Sequence, residues 1–445
     1  MRSVIKELRP TLVLALPMIV GQVSQMLIGI TDAALIGRVG TVELAAAAFT
    51  HGIFGLFYIV GIGFLLPVGV FTARDHGAGE AAGCGTWLRH GRAMALAAGS
   101  AAFLLLLGLS TQLQRFGQPP EVVAIVRPYF LLHALSLVPV FYFQVQRQYL
   151  DALGRPWVGT TVMLADVALN ALLNWMFIWG HWGAPALGLT GSGLATLIAR
   201  TLAVSAIGVW LRGEAAGTRG LQRARFGAML RMGVPAAGSL LFESGAFAAA
   251  ALMMGWLGAT ALAAHQIALS CAAFTFMFPL GLAMAASIRI SKALGEGRRE
   301  VLRPIGFGAL GLGSLIMLTF AAIFALAGGT LARGFTADPA VIELATTLLV
   351  VAAIFQLFDG GQVVSAGALR GLGDVRVPTA ITFVAYWVIA LPGGYMLATK
   401  LGGGPVGVWT GLAAGLACAA VLLCRRFHRL TLLARFAGAP PNVNQ

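Results

Sequence analysis

Long apolar runs, broken by short clusters of charge, set the pattern of this chain. Runs of the about 20 residues a helix needs to cross about 30 Å of hydrocarbon begin near Thr11, Leu44, Ala93, Val122, Val158, Gly188, Gly233, Ala261, Pro304, Val341, Pro378 and Val406. The pattern predicts twelve transmembrane helices and an all-α integral membrane protein. Most runs are apolar all round, as expected for helices that meet lipid on one side and a packed bundle on the other.

Composition sharpens this reading. Of 445 residues, 58% are hydrophobic and only 10% charged, against roughly a quarter charged in soluble chains, so soluble enzymes and nucleic-acid-binding proteins are excluded. The net charge of +14 resides in alternate loops. One set holds Arg2, Lys6 and Arg9; Arg74, Arg89 and Arg92; Arg147 and Arg155; the stretch from Arg212 to Arg231; Arg289 to Arg303; Arg370 and Arg376; and the tail Arg425 to Arg435. The other set holds little beyond Arg38, Arg115, Arg333 and Lys400. Positive charge is retained inside, which predicts two cytoplasmic termini, an even number of spans and a plasma membrane location. Contact with anionic lipid is the plain role of these arginines. The run Thr11 to Ile30 is too long for a signal core and reads as the first span. Cys84, Cys271, Cys418 and Cys424 are scattered, without metal-ligand spacing, and read as packing residues.

The chain repeats itself. A shift of 218 residues lays Pro17 on Pro235, Gly40 on Gly258, Leu44 on Leu262, Arg74 on Lys292, Gly77 on Gly295 and Gly79 on Gly297; a shift of 219 aligns Leu150-x-x-Leu153-Gly154 with Leu369-x-x-Leu372-Gly373. Six spans per half predict two bundles inserted in the same direction, related by an axis along the membrane normal, which is transporter architecture. The expected organisation is an N-lobe at 1–211 with spans one to six, a cytoplasmic linker at 212–231, and a C-lobe at 232–445 with spans seven to twelve and a short basic tail. A central cleft is expected between the lobes. Gly306, Gly308, Gly311 and Gly313 line up as one small-residue face, suited to close helix contact.

An ionised carboxylate costs several kcal/mol in hydrocarbon, so four acids stand out: Asp32 toward the outer end of span one, Asp166 in span five, Glu243 in span seven and Asp359 in span ten. Such a group can hold a proton and release it when wetted or paired with a cation, which makes it a coupling device. The plainer alternative is a carboxyl that only ties helices together, and for Asp166 that is the reading preferred. Asn170 and Asn174, one turn apart, either bond a neighbouring helix or line a wet cavity. Gln22, Gln25, Gln356 and Gln362 accompany the acids, while His265 and Gln266 read as helix-to-helix bonding. Phe274, Phe276, Met277 and Phe278, with Phe355 and Phe358, are mainly membrane core, with a soft wall for an organic cation as the alternative.

The strings Gly29-Ile-Thr-Asp-Ala-Ala-Leu-Ile-Gly-Arg, Ala264-His-Gln-Ile-Ala-Leu, Gly281-Leu-Ala-Met-Ala-Ala-Ser-Ile-Arg-Ile, Ser365-Ala-Gly-Ala-Leu-Arg-Gly-Leu-Gly-Asp and Tyr386-Trp-Val-Ile-Ala-Leu-Pro resemble the multidrug and toxic compound extrusion (MATE) family. Asn170-Ala-Leu-Leu-Asn-Trp-Met-Phe-Ile fits its fifth span, and the similarity covers nearly the whole chain in the family's order. The resemblance implies a twelve-helix transporter of two six-helix lobes. It would export drugs, often organic cations, in exchange for inward protons or sodium ions, without a cofactor. Glu243 and Asp359 match the acids that mark the NorM-like bacterial branch, which implies a bacterial inner membrane, and Asp32 matches the span-one aspartate. Asn170 and Asn174 match polar positions of the same lobe. Some sodium-coupled relatives carry a tyrosine where this chain has Phe355, and the lost hydroxyl weakens a sodium cage at Glu243 and Asp359, since hard cations want several oxygens.

The expected activity is antiport by rocking of the lobes. Asp359, Glu243, Asp32, Asn170 and Asn174 would serve the ion and the substrate, and Gln25, Gln266, Phe278, Phe355 and Gln362 would line the cleft. The expected partners are small-molecule drugs or organic cations and membrane lipid, with no nucleic acid and a monomeric chain. The alternative is a flippase for lipid-linked saccharides, as in the wider superfamily; it would want a basic cleft, whereas the mid-membrane charges read as acidic. A membrane transferase would need clustered aspartates, and the chain has none.

Overall fold

In the computed structural model of the chain, residues 2–212, 214 and 220–436 are described, and they are helical almost throughout, with no strand among them. Among the described residues, twelve helices are long and apolar enough to cross a membrane: α1 Val4–Ile36, α2 Thr41–Gly77, α3 Ala81–Ser110, α4 Pro120–Ala152, α5 Pro156–Trp179, α6 Gly188–Trp210, α7 Arg223–Trp256, α8 Ala259–Gly295, α9 Arg299–Arg333, α10 Pro339–Leu372, α11 Arg376–Thr399 and α12 Gly404–Leu433. Several begin well before their apolar runs, because the basic segments stay helical as they leave the hydrocarbon.

The ends follow from local chemistry. Pro120, Pro156 and Pro339 open α4, α5 and α10, where a missing N–H costs nothing, and the Asp338 carboxylate caps α10 by accepting from the Ala340 N–H at 2.9 Å. The repeat is visible in the backbone. Gly79 and Gly297 have φ of 76° and 73°, and Gly154 and Gly373 have φ of 76° and 87°. That left-handed conformation favours glycine, so the same stops recur at the register found in the sequence.

The chain divides into two compact units, Val20–Ala237 (the N-unit) and Met1–Ile19 with Gly238–Gln445 (the C-unit). The boundaries fall inside α1 and α7, where the sequence reading cut at the 212–231 linker. The first part of each of these helices packs into the other half's bundle. Residues 213 and 215–219 of that linker, and 437–445 of the basic tail, lie outside the described residues. In the N-unit the core gathers around Tyr129, Phe130, Phe141 and Tyr149. The C-unit packs around Phe355, Tyr386 and Trp409, with a second cluster around Leu302, Leu369 and Phe427. Lipid tails are as apolar as these side chains, so close fit rather than transfer from water holds the helices together.

Candidate functional site

Each unit brings a carboxylate inside its spans together with side-chain amides. In the N-unit, Asp166, Asn170 and Asn174 recur every four residues and so share one face of α5. The Asn174 Nδ2 donates to Asp32 Oδ1 of α1 at 2.7 Å and to Asn170 Oδ1 at 3.0 Å. Asn170 Nδ2 in turn donates to the Thr196 hydroxyl of α6 at 3.3 Å, and that hydroxyl donates to the Ser192 carbonyl at 3.0 Å. Asp32 and Asn174 are 2% and 0% exposed. The Asn174 Oδ1 and one oxygen of Asp166 are buried without a hydrogen-bond partner. The cluster is rich in acceptors, the chemistry that suits a proton or a small cation.

A guanidinium stands beside it. Arg200, one turn beyond Thr196 in the middle of α6, donates from Nη1 to the Ser136 hydroxyl at 2.5 Å and lies 5.0 Å from the centre of the Phe54 ring. It is within electrostatic reach of Asp32, Asp166 and Tyr58. Next to Phe54, His133 Nε2 lies 3.2 Å from His51 Nε2, which is 3.1 Å from the Tyr129 hydroxyl. The reading of the mid-membrane charge as acidic is therefore corrected. Arg200 was legible by the rule that picked out the acids, since an arginine inside an apolar run is as costly as an aspartate. Asp166 likewise has a neighbour that the sequence did not reveal. Arg147, counted among loop residues, is 1% exposed inside α4. Its Nη1 donates to Gln22 Oε1 at 3.3 Å, and Asp151 lies 3.9 Å from its Nε. Gly21 makes room: a Cβ there would lie 2.5 Å from Arg147 Nη2.

In the C-unit, α7 and α10 bring Glu243 and Asp359 within electrostatic reach of each other. Glu243 Oε1 accepts from the Tyr386 hydroxyl of α11 at 3.4 Å, a second hydrogen bond links Glu243 to Gln362, and Arg370 is the cation it feels. The amide oxygens of Gln356 and Gln362 are buried without a partner, while Gln356 Nε2 donates to the Thr275 hydroxyl. With the two carboxylates, the Gln362 oxygen adds to the oxygen acceptors inside this unit.

The remaining candidates are placed differently. Phe355 is 2% exposed, edge-on to Phe247 and Trp409 at 6.1 and 5.7 Å, so its ring is core. Phe278 is half-buried against Phe274 and Phe320. Gln25 is half-buried on α1 and Gln266 is exposed on α8; neither belongs to the hydrogen bonds described around the carboxylates. His265 makes a helix-to-helix bond, its Nδ1 accepting from the Trp409 Nε1 at 3.1 Å. In the sequence Tyr386 stands out only as part of a family string, because its meeting with Glu243 depends on how α11 is wound.

One family model, MatE, matches residues 17–176 and again 235–396. The chain belongs to the MatE family. The two matches to this MatE chain start 218 residues apart (235 − 17), the register of the internal repeat. The chain is 37% identical over 435 residues to a probable multidrug resistance protein NorM of Pseudomonas putida, covering 95% of this chain and 94% of the relative. It is 36% identical over 442 residues to a protein of that name from Deinococcus radiodurans, covering 98% of each. Among solved structures, it matches a MATE protein in a bent conformation with a TM-score of 0.89 at 20% identity, covering 98% and 99% of the two chains. The eukaryotic MATE transporter AtDTX14 matches with a TM-score of 0.85 at 19% identity, again covering 98% and 99%. At that identity the likeness speaks for the fold. The family is one of transporters rather than enzymes, and this MatE member is NorM-like.

Proposed function

We propose that this MatE protein is a secondary active exporter of organic, often cationic, compounds, working by antiport against inward protons or sodium ions. The observation that carries the reading is the pair Glu243 and Asp359, two carboxylates within electrostatic reach of each other in a membrane-buried setting. Two such groups disfavour being charged together, so a proton or a metal cation has a defined place there. The N-unit site at Asp32 is the second candidate. Each positive charge that moves inward down 100 mV supplies about 2.3 kcal/mol. Export follows if substrate and coupling ion each disfavour the other on the same protein and the two units expose their sites alternately to the two sides. The NorM relatives, described as probable multidrug resistance proteins, and the twelve spans support this reading. The charge distribution supports a bacterial inner membrane location with both termini cytoplasmic. The working unit is a single chain.

One observation favours the flippase reading: Arg200 is a half-buried cation inside a span, of the kind that a pyrophosphate group would seek. Asp32 and Asp166 lie within its field, however, so it is balanced from within. The deciding experiment is efflux of a fluorescent organic cation from proteoliposomes, under a proton or a sodium gradient imposed separately, for the wild type and for Glu243→Gln, Asp359→Asn and Asp32→Asn. Antiport requires that one gradient alone drive export by the wild type, and the coupling role of these carboxylates requires that at least one substitution uncouple it. If all three variants export like the wild type, Glu243, Asp359 and Asp32 are not the coupling groups; if neither gradient moves any organic cation, antiport is refuted and a lipid-linked saccharide becomes the next substrate to test.

A further inference from the structure

Residues Val384–Ala390 of α11 form a π-helical segment. Its cause lies just beyond it. Pro392 has no N–H for the carbonyl four residues back, and its ring crowds that carbonyl, so the preceding turn widens; such turns often mark functional positions. Here the widened turn presents two consecutive side chains to two consecutive residues of α7. The Tyr386 hydroxyl reaches Glu243 Oε1 at 3.4 Å, and the Trp387 Nε1 donates to the Phe242 carbonyl at 2.9 Å. The seam continues along the helices, with Ser239 Oγ donating to Thr382 Oγ1 at 3.2 Å and the Phe242 ring edge-on to Phe383 at 4.9 Å.

The Phe247 ring lies 6.0 Å from the Tyr386 ring and 6.1 Å from that of Phe355, so the two aromatic side chains flank one residue. Phe355, on α10, has no hydroxyl to give. Tyr386, 0% exposed, brings one from α11 to the carboxylate itself. The charged and titratable groups around Glu243 are Asp359 and Arg370 of α10 and Tyr386 of α11, and the Gln362 amide joins them.

We infer that Tyr386 is a positioning residue for the coupling cation: its hydroxyl, delivered by the π-helical turn, orients Glu243 and supplies the phenolic oxygen that α10 lacks. This rests on the proposed antiport. When Glu243 carries charge, the hydroxyl donates to it. When a proton or sodium ion takes that charge, the hydroxyl oxygen is free to accept from the carboxyl proton or to join the cation's oxygen shell. Hydroxyl and cation thus exchange places on one carboxylate.

The test is cation-driven efflux of a fluorescent organic cation by the full-length protein in proteoliposomes, titrated with the coupling ion, for the wild type, Tyr386→Phe and Trp387→Phe. Tyr386→Phe keeps the ring and removes one oxygen, and is expected to raise the half-saturating ion concentration about tenfold with maximal efflux within about twofold. Trp387→Phe loosens the seam without touching Glu243 and is expected to lower the rate with the ion midpoint unchanged. An unmoved midpoint in Tyr386→Phe overturns the inference, and so does an equal shift in Trp387→Phe, which would make the effect one of packing. If a wild type driven by an ion gradient accompanies either result, the antiport reading stands and this inference falls alone. If the wild type is driven by neither ion, both fall.

Discussion

Asp32 is held by one short amide bond, and the donor that makes it, Asn174 Nδ2, is shared with Asn170. Replacing Asn174 by Ala removes the donor but leaves the carboxylate, so folding should survive while ion-driven efflux falls; Asn174→Asp sets a second acid on Asp32 and should be the worse of the two. Arg200 gives a sharper prediction. Arg200 is half-buried and is the cation whose field reaches Asp32 and Asp166, so removing it leaves two acids inside the membrane without their compensating charge. Arg200→Gln should therefore reduce both the amount of folded protein and efflux, as measured by monodisperse yield and transport at equal protein. Arg200→Lys should not rescue it, because the planar fork both donates to Ser136 and lies against Phe54. Removing the acid as well, with Asp166→Asn, should recover part of the yield. The four acids were readable because charge is costly in hydrocarbon. Arg200 is equally readable by that rule, since it lies inside span six rather than in a loop. That Asn174 faces Asp32 was not readable, since it depends on which sides of α1 and α5 meet, and helices apolar all round carry no such mark.

The pairing of α11 with α12 depends on glycine. Gly407, Gly411 and Gly415 recur every four residues along one face of α12, and α11 lies against them at backbone distance. A Cβ on Gly411 would lie 2.3 Å from the Gly394 Cα, and one on Gly415 would lie 2.4 Å from the Ala385 carbonyl oxygen at the start of the π-helical turn. Gly411→Val should therefore separate the two helices. Overpacking of this kind costs about 1–3 kcal/mol, expected as a lower melting midpoint of the purified protein, while Gly393→Ala, where an added Cβ meets nothing within 4 Å, should leave it unchanged. Hydropathy located both spans. It did not show the π-helical turn, for which Pro392 is the only local sign, so Tyr386 could not be assigned to Glu243 from the sequence.

At the scale of the whole molecule, the 218-residue register reaches into details that the sequence comparison did not use. Gly281 of α8 meets Ile19 of α1 with 2.8 Å left between a Cβ and the Ile19 nitrogen; Gly63 of α2 meets Ala237 of α7 with 2.6 Å to its Cα. These are one contact made twice, since 281 − 63 and 237 − 19 both equal 218. They fall at the boundaries of the units, at Ile19 and Ala237. Beyond each contact the entering helix is clamped by an ion pair. In the C-unit, Glu7 of α1 pairs with Arg289 of α8, which also bonds the Glu7 carbonyl at 2.8 Å. In the N-unit, Arg225 of α7 lies 3.6 Å from Asp75 of α2 and 4.4 Å from the Trp87 ring centre. Glu7 and Arg225 are again 218 apart (225 − 7), while their partners Arg289 and Asp75 are 214 apart (289 − 75), so the two repeats clamp the same position of the entering helix with the sign reversed and the partner displaced by one turn. α1 and α7 each contribute residues to both units. Breaking either clamp, by Arg289→Gln or Asp75→Asn, should thus lower turnover in proteoliposomes several-fold and lower the melting midpoint, more for Arg289→Gln, whose charged hydrogen bond to Glu7 contributes about 1.5–3 kcal/mol, than for Asp75→Asn, whose contact with Arg225 is an ion pair at 3.6 Å. The exchanged pair Glu7→Arg with Arg289→Glu should recover a good part of both, because the other half of the molecule already operates with that polarity. If the exchanged pair is no better than Arg289→Gln alone, the attraction between the charges is not what holds α1, and the close approach at Gly281 would have to account for the clamp by itself.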